Sequence, residues 1–121
     1  MVQSLNTKAE YVDKATWFRG MPTYGQIMVG DKGFEFYSDS NKNDYLQIPW
    51  NEITYVIADV YFGGKYIPRF KVCTKSNADF ILAARHPKHT LAAISKHVPK
   101  EHMRRALSAW QKVKRNIFRK K

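Results

Sequence analysis

Two histidines have the clearest metal-ligand spacing in the chain. His86 and His89 are three residues apart at the predicted start of a helix, and this spacing can place two imidazoles on one helix face. No third ligand is evident nearby, and the neighbouring Arg85 and Lys88 are cationic. Because a stable metal site needs more than two protein ligands, the sequence predicts no metal centre. The two histidines are interpreted as exposed polar residues at a helix end.

The other reactive groups are isolated as well. Cys73 is the only cysteine, which excludes an internal disulfide and favours a small packed residue in a strand. Gly63-Gly64-Lys65 lacks the earlier glycine of a phosphate-binding loop and is followed by Tyr66, so it predicts a hairpin turn. The acidic residues form no pair with a pattern suited to acid–base catalysis. We therefore predict no catalytic residues, no cofactor and no enzymatic activity.

Positive charge is concentrated at the C-terminal end. The 121 residues include 21 Lys and Arg against 10 Asp and Glu, a formal net charge of +11. Residues 100–121 contain nine of the basic side chains and one acid, so this segment alone carries +8. Apolar residues recur in it at spacings of three and four, which indicates a basic helix with one apolar stripe. The stripe comprises Met103, Leu107, Trp110, Val113 and Ile117.

A basic helix of this kind suits an acidic protein surface, an anionic membrane or a groove on a partner. In the alternative interpretation, the stripe packs on the core of its own domain and leaves the charges in solvent. The residues predicted to contact a partner or a membrane are Arg104, Arg105, Trp110, Lys112, Lys114, Arg115 and Arg119.

The body of the chain reads as short antiparallel strands separated by turn residues. Gly30-Asp31-Lys32-Gly33 is a strong hairpin signal, and Phe34 and Phe36 alternate with the polar Glu35 and Tyr37. A lone sheet of this length would expose its edges, so we expect a closed or nearly closed barrel or a sandwich. The seven predicted strands are 9–18, 24–29, 34–38, 45–50, 53–62, 66–74 and 79–84.

The hydrophobic period changes after residue 86. Pro87 suits the first turn of a helix, and Leu91, Ile94 and Val98 form one apolar stripe, which predicts a helix over about 87–97. Pro99 interrupts it, and a second helix is predicted over about 101–118. The predicted fold is mainly β with C-terminal helices, a pleckstrin-homology-like seven-stranded barrel capped by a helix. Residues 1–99 would form the capped barrel, and residues 100–121 a basic helix within the same domain or appended to it.

Five segments of the chain match a known family in order. They are Met1–Lys8, Gly30–Tyr37, Ile48–Ile53, Gly64–Phe70 and the junction Val98-Pro99. In these segments the chain resembles ManO, a small bacterial family encoded beside the mannose-type sugar phosphotransferase permease. The resemblance covers essentially the whole chain. It implies a link to mannose or glucose uptake and its regulation, and it implies no catalytic residues.

Three functions remain open at this point. The first is a non-enzymatic accessory protein that binds the cytoplasmic side of the mannose-family permease. The second is a nucleic-acid-binding regulator of the mannose operon, although no helix-turn-helix pattern is present. The third is a module that binds an anionic lipid or small ligand.

The N-terminus lacks an apolar signal region, and no run of apolar residues is long enough to span a bilayer. We therefore expect a cytoplasmic protein. The basic segment and the resemblance to ManO imply that it is peripheral at the inner face of the membrane.

Overall fold

The computed structural model describes residues 3–106, which form eight strands and one α-helix. The helix, α1, spans Pro87–Ile94. It begins at a proline because that residue needs no intrahelical N–H partner in the first turn. The strands are β1 Ala9–Arg19, β2 Met21–Gly30, β3 Gly33–Ser38, β4 Tyr45–Pro49, β5 Ile53–Ala58, β6 Phe70–Thr74, β7 Asp79–Ala84 and β8 Met103–Arg105.

All eight strands belong to one open, mixed sheet, in the order β4-β3-β2-β1-β7-β6-β5-β8. Seven strands pair antiparallel with their neighbours, whereas β8 runs parallel to β5. Within residues 3–106, β4 and β8 are the two edges and do not pair with each other. The predicted closed seven-stranded, pleckstrin-homology-like barrel with two helices is therefore wrong. The exposed edge of β5 is covered by β8 and not by closure of the sheet.

The predicted second helix is also wrong where the structure describes it. Lys100–His102 form a short 3-10 turn, and Met103–Arg105 continue as β8. The backbone of β8 bonds to β5, and the Ala106 N–H donates to the Ala58 carbonyl at 2.7 Å. Unpaired N–H and C=O groups on the edge of β5 thus select an extended conformation over the local helical pattern. Residues 107–118 of the predicted helix lie outside the described residues.

The core lies on one face of the sheet and beneath α1. Trp17 meets Phe36 edge to face at 5.7 Å between ring centroids, and Phe34 meets Phe70 at 6.3 Å. Ile94 of α1 is fully buried against the strands. Aromatic edge-to-face pairs favour one packing arrangement over others. This core fixes where the ends of the strands lie, and those ends carry the charged residues.

A buried carboxylate ties the N-terminal segment to the sheet. Glu35 on β3 has no exposed surface, although it alternates along the strand with the apolar Phe34 and Phe36. Its oxygens accept hydrogen bonds from the Ser4 hydroxyl at 2.6 Å, the Asn6 side-chain amide at 2.5 Å and the Tyr37 hydroxyl. The Leu5 backbone N–H donates to the same carboxylate at 3.2 Å. A buried charge is tolerated when it is surrounded by donors in this way.

The connection between β5 and β6 is longer than the tight hairpin that the sequence predicts. β5 ends at Ala58 and β6 begins at Phe70, so residues 59–69 form a loop. Pro68 cannot donate to a sheet ladder. Phe62 adopts a left-handed φ of 55°, followed by Gly63 at 66° and Gly64 at 93°, and such angles are incompatible with an extended strand.

Candidate partner-binding surface

Arg104 and Arg105, predicted as contact residues, lie side by side on the edge strand β8. Both side chains are exposed. The Arg104 guanidinium lies 5.3 Å from the centroid of the Tyr55 ring, and its Nε donates to the Glu101 carbonyl at 2.8 Å. A cation above an aromatic face is held in place without losing its charge. This arrangement leaves Arg104 able to attract an anionic partner at the sheet edge.

The register of the strands brings other cations to the same end of the sheet. Ala58, the last residue of β5, pairs with Phe70 at the start of β6 and with Arg105 at the end of β8. Phe70 in turn pairs with Leu82, two residues before β7 ends. The loop 59–69, the segment that follows β7 and the end of β8 therefore meet at one end. We call this end the cationic end of the sheet, defined by Lys65, Arg85, Lys88, Arg104 and Arg105.

A cleft of about 320 Å³ opens between the loop 59–69 and the first turn of α1. Cationic and titratable groups dominate it, and no carboxylate is among the residues that line it. Converging cations in a concave site favour a negatively charged ligand or surface. The lining residues include Lys65, Ile67, Arg85, His86, Lys88 and His89.

Asp13 holds the start of α1 in this position. Its carboxylate accepts hydrogen bonds from the backbone N–H of His86 at 2.7 Å and of Lys14 at 2.8 Å, and it contacts the His86 ring nitrogen at 3.2 Å. Burial opposes ionisation of Asp13, but these hydrogen bonds together lower its pKa below the usual value. Asp13 is thus charged at neutral pH and is satisfied by internal donors.

The histidines at the start of α1 and the cysteine form no metal site in the described part of the chain. The His86 and His89 rings stack at 6.1 Å, and residues 3–106 contain no group of three or more His, Cys, Asp or Glu that could hold a metal ion. Burial raises the pKa of the half-buried Cys73 thiol, and the negative charge of Asp79 raises it further. The thiol is therefore protonated at neutral pH and is a poor nucleophile.

Sequence reasoning placed the contact surface on one helix, and the structure distributes it differently. Arg104 and Arg105 are on a strand, and the other predicted contact residues lie outside the described residues: Trp110, Lys112, Lys114, Arg115 and Arg119. Lys65, Arg85 and Lys88 were not predicted as contacts. Their charge is visible in the sequence, but their position at the same end of the sheet as β8 depends on the strand register.

Comparison with known families identifies the chain. A family described as a domain of unknown function, DUF956, matches residues 1–117. The chain belongs to the DUF956 family. No curated protein matches this DUF956 member.

Among solved structures, this DUF956 chain is similar to the crystal structure of the C-terminal domain of an unknown protein from Leishmania infantum. The TM-score is 0.65 at 14% sequence identity, over 74% of this chain and 83% of the other. At that identity the similarity concerns the fold alone. Among the helices of residues 3–106, none is long and apolar enough to cross a membrane.

Proposed function

We propose that this chain is a ManO-type accessory protein that binds the cytoplasmic side of the mannose-family permease of the sugar phosphotransferase system. In this proposal it regulates the use of the permease without catalysing a reaction. The resemblance to ManO over the whole chain supplies the biological context. The structural observation that carries the proposal is the convergence of exposed cations at one end of the sheet.

Positive charge is the reason for choosing this end as the docking surface. Arg104 and Arg105 immediately precede residues 106 and 107, so the rest of the basic segment begins at the cationic end. Two acids near it are neutralised internally, since Asp59 pairs with Arg69 at 2.8 Å and Asp13 is bound by His86. An anionic permease surface beside anionic lipid headgroups would therefore meet a net positive charge.

The test is co-purification from native membranes of cells that make the permease. We expect affinity-tagged full-length chain to capture the permease components after detergent extraction. A matched chain that ends at Ala106 retains β8 and its hydrogen bond to Ala58, and it should capture less permease because it lacks the most basic segment. A cut at Pro99 is unsuitable since it would remove β8 and expose the edge of β5. Failure of the full chain to retain any permease component would contradict the proposal.

A further inference from the structure

The loop 59–69 exposes three aromatic side chains at its tip. Phe62 is 77% exposed, Tyr66 54% and Tyr61 43%. Their ring centroids lie between 6.3 and 6.5 Å apart, so the rings contact one another and none belongs to the buried core. Exposed single apolar residues are common, but three adjacent aromatic rings on one protruding loop form an apolar patch that favours a partner.

The backbone of the loop holds this patch in a defined shape. Tyr61 and Tyr66 form an antiparallel bridge, with the Tyr61 N–H donating to the Tyr66 carbonyl at 2.8 Å and the reverse bond at 3.1 Å. The Lys65 N–H donates to the Phe62 carbonyl at 3.3 Å. Phe62 itself has a left-handed φ of 55°, which is rare for a bulky residue. The turn therefore presents Phe62 outward on a closed and hydrogen-bonded loop.

Cations lie on the side of the loop that faces α1. Lys65 lies within the loop, and together with Arg85 and Lys88 it lines the cleft between the loop and α1. The one acid in the loop, Asp59, is paired with Arg69. Aromatic rings favour the boundary between headgroups and acyl chains, and cations favour the lipid phosphates. A loop with rings at its tip and cations behind them therefore fits the surface of an anionic bilayer.

We propose that the loop 59–69 binds directly to the surface of an anionic lipid bilayer. Phe62, with Tyr61 and Tyr66 beside it, enters the headgroup boundary. Lys65, Arg85 and Lys88 lie against the lipid phosphates. This inference goes beyond the proposed function because it requires no permease, and lipid alone is the occupant of the surface.

The test uses the full-length chain and protein-free vesicles. We expect it to bind equimolar phosphatidylglycerol–phosphatidylcholine vesicles more tightly than pure phosphatidylcholine vesicles, as measured by flotation. Phe62→Ser removes the ring that enters the bilayer and should weaken binding to the anionic vesicles about tenfold. Met21→Ser is the matched control, since Met21 is 78% exposed at the opposite end of the sheet, and it should bind as the natural chain does.

A second readout separates insertion of the loop from binding by the basic C-terminal segment. An environment-sensitive fluorophore is attached to Phe62→Cys in a Cys73→Ser background, with Met21→Cys in the same background as the control. Blue-shifted emission at position 62 but not at position 21, on addition of anionic vesicles, supports insertion. The proposal is overturned by any of three results: no shift at position 62, unchanged binding of Phe62→Ser, or failure of the natural chain to bind the vesicles.

Discussion

A chain in which Arg104 and Arg105 are both replaced by glutamate will bind the mannose-family permease about a thousandfold more weakly than the natural chain. Each cation near an anionic membrane surface contributes about 1 kcal/mol. Reversing two charges removes two such attractions and adds two repulsions, a total of about 4 kcal/mol. Both side chains are exposed on β8, so the substitution changes the surface without opening the core. The measurement is the dissociation constant for permease reconstituted in nanodiscs.

The control for this variant changes the net charge by the same amount at the other end of the sheet. Lys42 lies in the loop between β3 and β4, and Lys75 lies in the turn after β6. Both are exposed. Lys42→Glu with Lys75→Glu should weaken permease binding less than about tenfold, because only the long-range attraction is reduced. Equal losses in the two double variants would mean that net charge, and not the cationic end, determines binding.

Replacing Glu35 by glutamine will lower the free energy of unfolding by about 2–4 kcal/mol. Hydrogen bonds to a charged carboxylate are stronger than those to a neutral amide. The glutamine NH2 group would also face the donors of Ser4, Asn6 and Tyr37, which would leave buried donors without an acceptor. The melting temperature should fall by on the order of 10 °C. Glu52→Gln, at an exposed position, is the matched control and should change stability by less than about 0.5 kcal/mol. Urea unfolding at neutral pH gives both free energies.

The same variant has an expected pH signature. Burial opposes ionisation of Glu35, but hydrogen bonds from Ser4, Tyr37 and the backbone of the N-terminal segment lower its pKa below the usual 4.5. A carboxyl with a lowered pKa in the folded state stabilises the protein above its unfolded pKa. That contribution is lost as the pH falls through the lowered value. Glu35→Gln should therefore differ from the natural chain at neutral pH and approach it in acid. A constant difference at all pH values would show that the charge of Glu35 is not the stabilising feature.

Local pattern in the sequence was sufficient for most of the strands and for the first helix. The alternation around Phe34 and Phe36 and the turn at Gly30–Gly33 give β2 and β3, and Pro87 with the stripe through Ile94 gives α1. These signals are local, because they depend on side-chain period and on turn residues. The sheet edge was not predictable in this way. β8 is three residues long, carries two arginines and pairs in parallel with a strand 47 residues earlier. So short a segment has no strand pattern of its own, and Met103 fits the helical spacing of the apolar stripe instead.

The charges of the candidate site are visible in the sequence, but their grouping on one surface is not. The charges of Lys65, Arg85 and Lys88 are plain in the sequence, whereas their position at the same end of the sheet as Arg105 follows from the registers of three strand pairs. The sequence predicts that Phe62 ends a strand over 53–62, whereas the left-handed backbone at Phe62 and the two glycines that follow turns its side chain to solvent. The burial of Glu35 depends on the N-terminal segment, which folds over β3.

Lysine-acetylation footprinting of the full-length chain on purified permease in nanodiscs tests the docking surface most directly. The reactivity of each lysine is compared between the free and the permease-bound chain by mass spectrometry. The proposed function predicts that Lys65 and Lys88 at the cationic end, and Lys112 and Lys114 in the basic segment, become protected on binding. Lys42 and Lys75 at the opposite end should stay as reactive as in the free chain. Protection of Lys42 and Lys75 with unchanged reactivity of Lys65 and Lys88, or no stable complex at all, would contradict it.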